Sequence, residues 1–142
     1  ILIGVTKQKH KELNYMKLNP DCIRDILICL ESLEYDSAYT IQSLVSKLPN
    51  YSYSELDYHC LQLYEADFIK AMIVHSGRYL AKTEKVFDLT YRGHQFLEEI
   101  RSDNVWNKTK ETAKSVGSFS ISTLSTIATE VITSLIQKNL GL

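Results

Sequence analysis

The hydrophobic period of this chain switches twice, and those switches limit its fold more than any other feature. Through Glu65 the apolar side chains recur every three or four residues. From Phe68 they crowd into the β-branched run Phe68-Ile69-Lys70-Ala71-Met72-Ile73-Val74, and after Leu89 helical spacing returns. Local signals punctuate each change. Asn19-Pro20-Asp21 predicts a helix start, with Asn19 as N-cap, Pro20 at the first helical position and Asp21 at the positive end of the dipole. Ile23, Ile26, Leu27, Leu30 and Leu33 form the buried stripe of that first helix, which should run to about Leu33. Thr40 caps a short second helix carrying Ile41, Leu44, Val45 and Leu48, and Pro49-Asn50 stops it. Ser52-Tyr53-Ser54-Glu55 reads as a capping box opening a third, expected to turn Leu56, Cys60, Leu63 and Tyr64 inward and to leave Ser54, Glu55, Tyr58, Gln62 and Glu65 outward. Ser76-Gly77-Arg78 supplies turn chemistry before a second strand at Val86-Phe87-Asp88-Leu89. Thr90 then caps a fourth helix with Phe96, Leu97 and Ile100 on its apolar face and Gly93 permitting close packing.

Helix, tight turn, helix, two strands and helix in that order predict an α+β chain. The expected architecture is a winged helix-turn-helix domain over residues 16–101, followed by a C-terminal helical extension over 102–142. A length of 142 residues is about one domain. In the extension, Asp103 to Ser115 is polar and helix-compatible, anchored by Val105 and Trp106, and Gly117 interrupts it. A last helix should span Phe119 to Asn139. Its Ile121, Leu124, Ala128, Val131 and Leu135 keep a 3-4-3-4 spacing, widened by Ile127, Ile132 and Ile136, and predict a self-association seam and a homodimer. From Gly117 to Gln137 the only charge is Glu130, but the many hydroxyls make the stretch far less apolar than a membrane span, so no membrane is expected.

Charge is distributed against the usual use of such a scaffold. The whole chain has 16 Lys plus Arg against 17 Asp plus Glu, so no global basic field proposes nucleic acid. No Lys or Arg lies between Lys47 and Lys70, the interval that contains the third helix, whereas Glu55, Asp57, Glu65 and Asp67 do. Residues 17–67 hold three basic and nine acidic side chains, and 68–101 hold six and four, so an anion should prefer the second half.

Three cysteines, Cys22, Cys29 and Cys60, make no CxxC pair and no metal-ligand spacing, which fits buried thiols in a reducing cytoplasm. The segment 1–15 resembles neither a secretory signal nor a transit peptide, its apolar run Ile1 to Val5 being too short. Lys11-Glu12 can be encoded by a purine-rich ribosome-binding sequence three codons before Met16, so 1–15 is expected to be a leader or upstream-derived segment.

Leu89-Thr90-Tyr91-Arg92-Gly93-His94-Gln95-Phe96-Leu97 resembles the Leu-Thr-x-x-Gly-x-x-Phe-Leu segment that follows the wing in many winged-helix proteins. Together with Met16-Lys17-Leu18-Asn19-Pro20-Asp21 and Val116-Gly117-Ser118-Phe119-Ser120, it makes the chain similar to a bacterial and prophage family of uncharacterised winged-helix proteins. That resemblance implies the fold and, through the wider winged-helix group, transcriptional regulation; it brings no activity of its own.

Two functions compete. In a DNA-binding regulator the third helix would offer Ser54, Tyr58 and Gln62 to base edges in double-stranded DNA. Backbone anchoring would fall to the wing, through Lys70, Arg78, Lys82 and Lys85, and to Arg92. In a protein-interaction module the tyrosines Tyr51, Tyr53 and Tyr58 beside an acidic helix would form the contact surface instead. His10, His59, His75 and His94 are isolated, and the chain has no Gly-rich phosphate loop and no nucleophile elbow. No enzyme, cofactor or metal is expected. His94 should pack against the wing, and Ser118 and Ser120 should be structural.

Overall fold

A computed structural model describes residues 16–142; the expected leader, 1–15, lies outside the described residues. Among the described residues six helices and one two-stranded antiparallel sheet make an α+β fold: α1 (Pro20–Glu31), α2 (Ile41–Lys47), α3 (Tyr53–Glu65), β1 (Ile69–Ser76), β2 (Leu80–Leu89), α4 (Tyr91–Ile100), α5 (Asp103–Val116) and α6 (Ile121–Asn139).

The caps are formed by the residues that predict them. Asn19 accepts from the Asp21 N–H, Thr40 from Ser43 and Thr90 from Gly93, and Ser52 and Glu55 make both halves of a capping box. Ser102 and Ser120 cap α5 and α6 in the same way, so the last helix starts at Ile121 rather than Phe119. The first helix stops at Glu31, short of Leu33, where Ser32 turns its hydroxyl back onto the Cys29 carbonyl. Asp67 ends the α3 turn at φ 62°, a left-handed conformation that carries the chain from helix into β1.

Strand β2 is more than twice as long as its sequence signal. Lys82-Thr83-Glu84-Lys85 lacks the apolar alternation of a strand, and pairing to β1 recruits it: Met72 faces Lys85, Ile73 faces Thr83 and Val74 faces Lys82. Two register shifts, between Lys70 and Ala71 and between Met72 and Ile73, leave Phe87 and Glu84 as extra residues on β2. On its other edge β2 bridges to Tyr39, with reciprocal backbone bonds between Tyr39 and Val86 of 2.9 and 2.8 Å.

One buried cluster joins everything. It runs from Cys22, Ile23 and Ile26 through Leu56, Leu63, Phe68 and Phe96 to Trp106, Ala113, Leu124 and Ala128. The extension is bolted to α1 by polar contacts as well. Asp21 accepts from the Trp106 indole N–H at 2.9 Å and from Lys110 at 2.8 Å. Arg24, its side chain largely buried, donates to the Ile100 and Arg101 carbonyls and to Asp103, and so holds the bend between α4 and α5. Gly93 sits where α4 crosses the start of β1, and a Cβ there would lie 2.0 Å from the Phe68 carbonyl oxygen.

Candidate nucleic-acid interface

Helix α3 presents Ser54, Tyr53 and Glu65 to solvent and keeps Tyr58, Leu61 and Gln62 half-buried. Its inward face differs from expectation at two positions. Tyr64 is 44 % exposed, because it lies off the Leu56-Cys60-Leu63 line. His59 is buried instead. Its Nε2 accepts the Asn19 N–H at 2.8 Å, so the ring proton sits on Nδ1 and is donated to the Glu55 carbonyl at 2.7 Å. Burial pushes its pKa below the ordinary histidine value, against the opposing pull of Glu55. The spacing of 59 from 56 and 63 carried this signal; an isolated histidine simply does not announce a structural hydrogen bond.

The acids of α3 are partly spoken for. The Glu55 carboxylate accepts from the Ser52 N–H, and Asp57 accepts from the Thr83 N–H at 2.7 Å, tying the helix to the β2 bulge. The Asp67 carbonyl takes the Thr90 hydroxyl. Among the described residues Glu65 is the one exposed α3 acid with no such bond. The Asp57–Thr83 tie joins residues 26 apart and had no local signature. Tyr51, expected on a contact surface, is instead half-buried: it donates to Asp25 at 2.6 Å, and burial together with that carboxylate pushes its phenol well above the usual range.

The basic residues do not gather in one place. Ile69, Thr83, Val86 and Leu89 are buried on the sheet face that meets the helices, so their neighbours Lys70, Lys82 and Lys85 project from the other face. Lys70 and Lys85 line a groove of about 600 Å³ together with Glu34, Asp36, Asp88 and His94. His94 faces the hairpin there, its Nε2 3.8 Å from Asp88. Arg78 lies alone in the exposed turn, after Gly77 at φ 71°. Arg92 stacks its guanidinium over the Phe68 ring at 5.5 Å, at the start of α4. The near edge of α3 has its own groove, about 430 Å³, where Ser54 and Tyr58 meet Lys17 and Phe119. Neither Lys17 nor Phe119 was singled out by sequence, because their approach to α3 depends on how distant parts of the chain fold back.

A family model described as a hypothetical protein (DUF2513) matches residues 17–120, most of the chain. The chain belongs to that family. An uncharacterized protein of Haemophilus influenzae (strain ATCC 51907 / DSM 11121 / KW20 / Rd) is 35% identical over 100 residues, which cover 70% of this chain and 80% of the relative. No solved structure matches. Kinship fixes ancestry, and what the surface does rests on its residues.

Among the described residues no three His, Cys, Asp or Glu side chains gather to hold a metal, and no helix is long and apolar enough to cross a membrane. Cys22 and Cys60 are buried, and desolvation pushes both thiols far up. Of the five residues expected to form a self-association seam, Ile121, Leu124 and Ala128 are covered by their own chain, Val131 is half-buried and Leu135 is exposed.

Proposed function

We propose that this protein is a winged helix-turn-helix DNA-binding regulator of bacterial or prophage type, acting in the cytoplasm as a homodimer. The bridge from Tyr39 to β2 would be the third strand of the winged sheet, α2 and α3 the helix-turn-helix, and the Gly77 turn the tip of the wing. The observation that carries the reading is the hydrogen bonding of the α3 acids. With Glu55 and Asp57 held to the Ser52 and Thr83 backbone, the exposed Ser54 and the half-buried Tyr58 and Gln62 are uncharged polar groups the helix could offer beside a hairpin tipped by Arg78. Phosphate contacts would come from Arg78 and Lys82 first, because Lys70 and Lys85 share their groove with acids.

The test is a salt titration of binding to duplex DNA. Replacement of Lys70, Arg78, Lys82 and Lys85 together by Ala should lower affinity and flatten the slope of log K against log salt, by about one unit for each phosphate no longer neutralised. The pair Arg78→Ala and Lys82→Ala should account for most of that change. An unchanged slope in the fourfold variant rejects the reading.

Exposed aromatics favour a second reading, a winged-helix protein-interaction module. Tyr53 and Tyr64 lie 45 % and 44 % exposed on a helix that has no base. In that case DNA is not retained at physiological salt, and a partner captured by the wild type no longer binds after Tyr53→Ala or Tyr58→Ala.

A further inference from the structure

The stripe Ile121, Leu124, Ala128, Val131, Leu135, Lys138 runs along α6 at unbroken 3-4 spacing. Its first three members are buried against α4 and α5. Beyond Val131 the cover stops, and the reason is length. Helix α5 has 14 residues and α6 has 19, so α6 runs on past its antiparallel neighbour by about 7 Å at 1.5 Å per residue. Leu135, Ile136, Leu140 and Leu142 stand 42, 53, 68 and 87 % exposed at that end. Beside them, between the start of α5 and the second half of α6, lies an apolar groove of about 340 Å³ lined by Val105, Val131 and Leu135, with Asn104, Lys108 and Ser134 at its rim. Leu135 both lines that groove and projects from it, as one residue of an isologous two-fold interface would, whereas Ile136 and Leu140 lie about 100° and about 140° round the helix from it.

We infer that the uncovered half of α6 docks antiparallel on the same half of α6 in a second copy of this chain. This rests on the homodimer of the proposed function, for which it names the seam, and not on the binding of DNA. The charges choose both occupant and direction. Helix α6 carries a single acid, Glu130, and a single base, Lys138, which are eight residues apart and form no ion pair among the described residues. A parallel pair would set Lys138 against Lys138 of the partner subunit on the stripe itself. In the antiparallel register that layers Val131 on Leu135 of the partner subunit, Lys138 falls at the level of the partner's Ala128, two residues from the partner's Glu130. Both copies make that approach, and the small Ser134 meets its counterpart beside the two-fold axis.

Light scattering of the full chain tests the pairing. The wild type should give twice the single-chain mass, and Leu135→Asp should halve it while leaving the helical circular dichroism spectrum of the monomer intact, since Leu135 is already 42 % exposed there. Direction is read separately by air oxidation. Ser134→Cys should form an inter-chain disulfide readily, and Lys138→Cys should not. A single-chain mass for the wild type at every concentration loaded, or a doubled mass that survives Leu135→Asp, overturns the inference. Cross-linking by Lys138→Cys and not by Ser134→Cys overturns the antiparallel arrangement. None of these readouts involves DNA, so failure here and failure of the regulator reading are distinguishable.

Discussion

Two residues show how much a single side chain decides in this chain. Gly93 has no positive-φ demand; what it provides is space, since any Cβ would enter the Phe68 carbonyl that also accepts the Thr90 N–H at 3.0 Å. Gly93→Ala should therefore cost about 3 kcal/mol, the upper end for overpacking a tight site, and lower the thermal midpoint by on the order of 10 °C. A midpoint within a degree or two of wild type would show that β1 and α4 can part without penalty. His59 makes a pH-dependent contribution. Because its folded pKa lies below the ordinary 6.5, the unfolded chain takes up a proton before the folded one does. Stability is then complete above that value and is lost as pH falls from there through the folded pKa, with the Asn19 N–H facing a ring that can no longer accept. Urea midpoints should fall from about pH 8 to about pH 5, and His59→Gln should remove that step. At lower pH Asp21 adds a second loss. Burial raises its pKa, but hydrogen bonds from Lys110 and Trp106 outweigh that and hold it below 3.8, so its contribution disappears as pH drops through the folded value.

At the scale of elements, the helices were readable and the attachments between them were not. Every cap depended on side chains within three residues of the helix start, and every helical stripe on spacing of three and four, so sequence placed them to within two or three residues. The length of β2 was hidden because Lys82 to Lys85 has no strand pattern of its own; β1 supplies it. The anchoring of α5 was hidden for the same reason, as Trp106 reaches Asp21 across 85 residues. Trp106→Ala should cost about 3–5 kcal/mol, the range for removing a buried Trp, and hydrogen exchange in α5 and α6 should speed up more than in α2 or α3. Exchange that quickens evenly would mean the extension holds on without it. On α3, Asp57→Asn keeps the oxygen that accepts from Thr83 and removes a charge. If the helix faces DNA, affinity should rise several-fold; a fall would favour a basic protein partner instead.

For the whole molecule, the decisive feature is the continuity of the core from α1 to Ala128. Sequence drew a line at Arg101, but Arg24 clasps the Ile100 and Arg101 carbonyls before it and the Asp103 carboxylate after it, and Trp106 packs into the cluster that holds Phe96. The chain should unfold in one step, with Trp106 fluorescence and far-ultraviolet circular dichroism giving the same denaturation midpoint; two separated transitions would restore a boundary near residue 101. The candidate site follows the same division between local and distant. Sequence alone determined the element order, the caps, the absence of bases on α3 and the reversal of charge after Phe68, all of which arise from near neighbours along the chain. Only tertiary structure decided that Lys70 and Lys85 lie among acids, that two α3 acids are bonded to backbone, and where the stripe on α6 loses its cover. Those depend on which distant segments meet, and in a folded chain that is settled by shared burial and by the pairing of polar groups far apart in sequence.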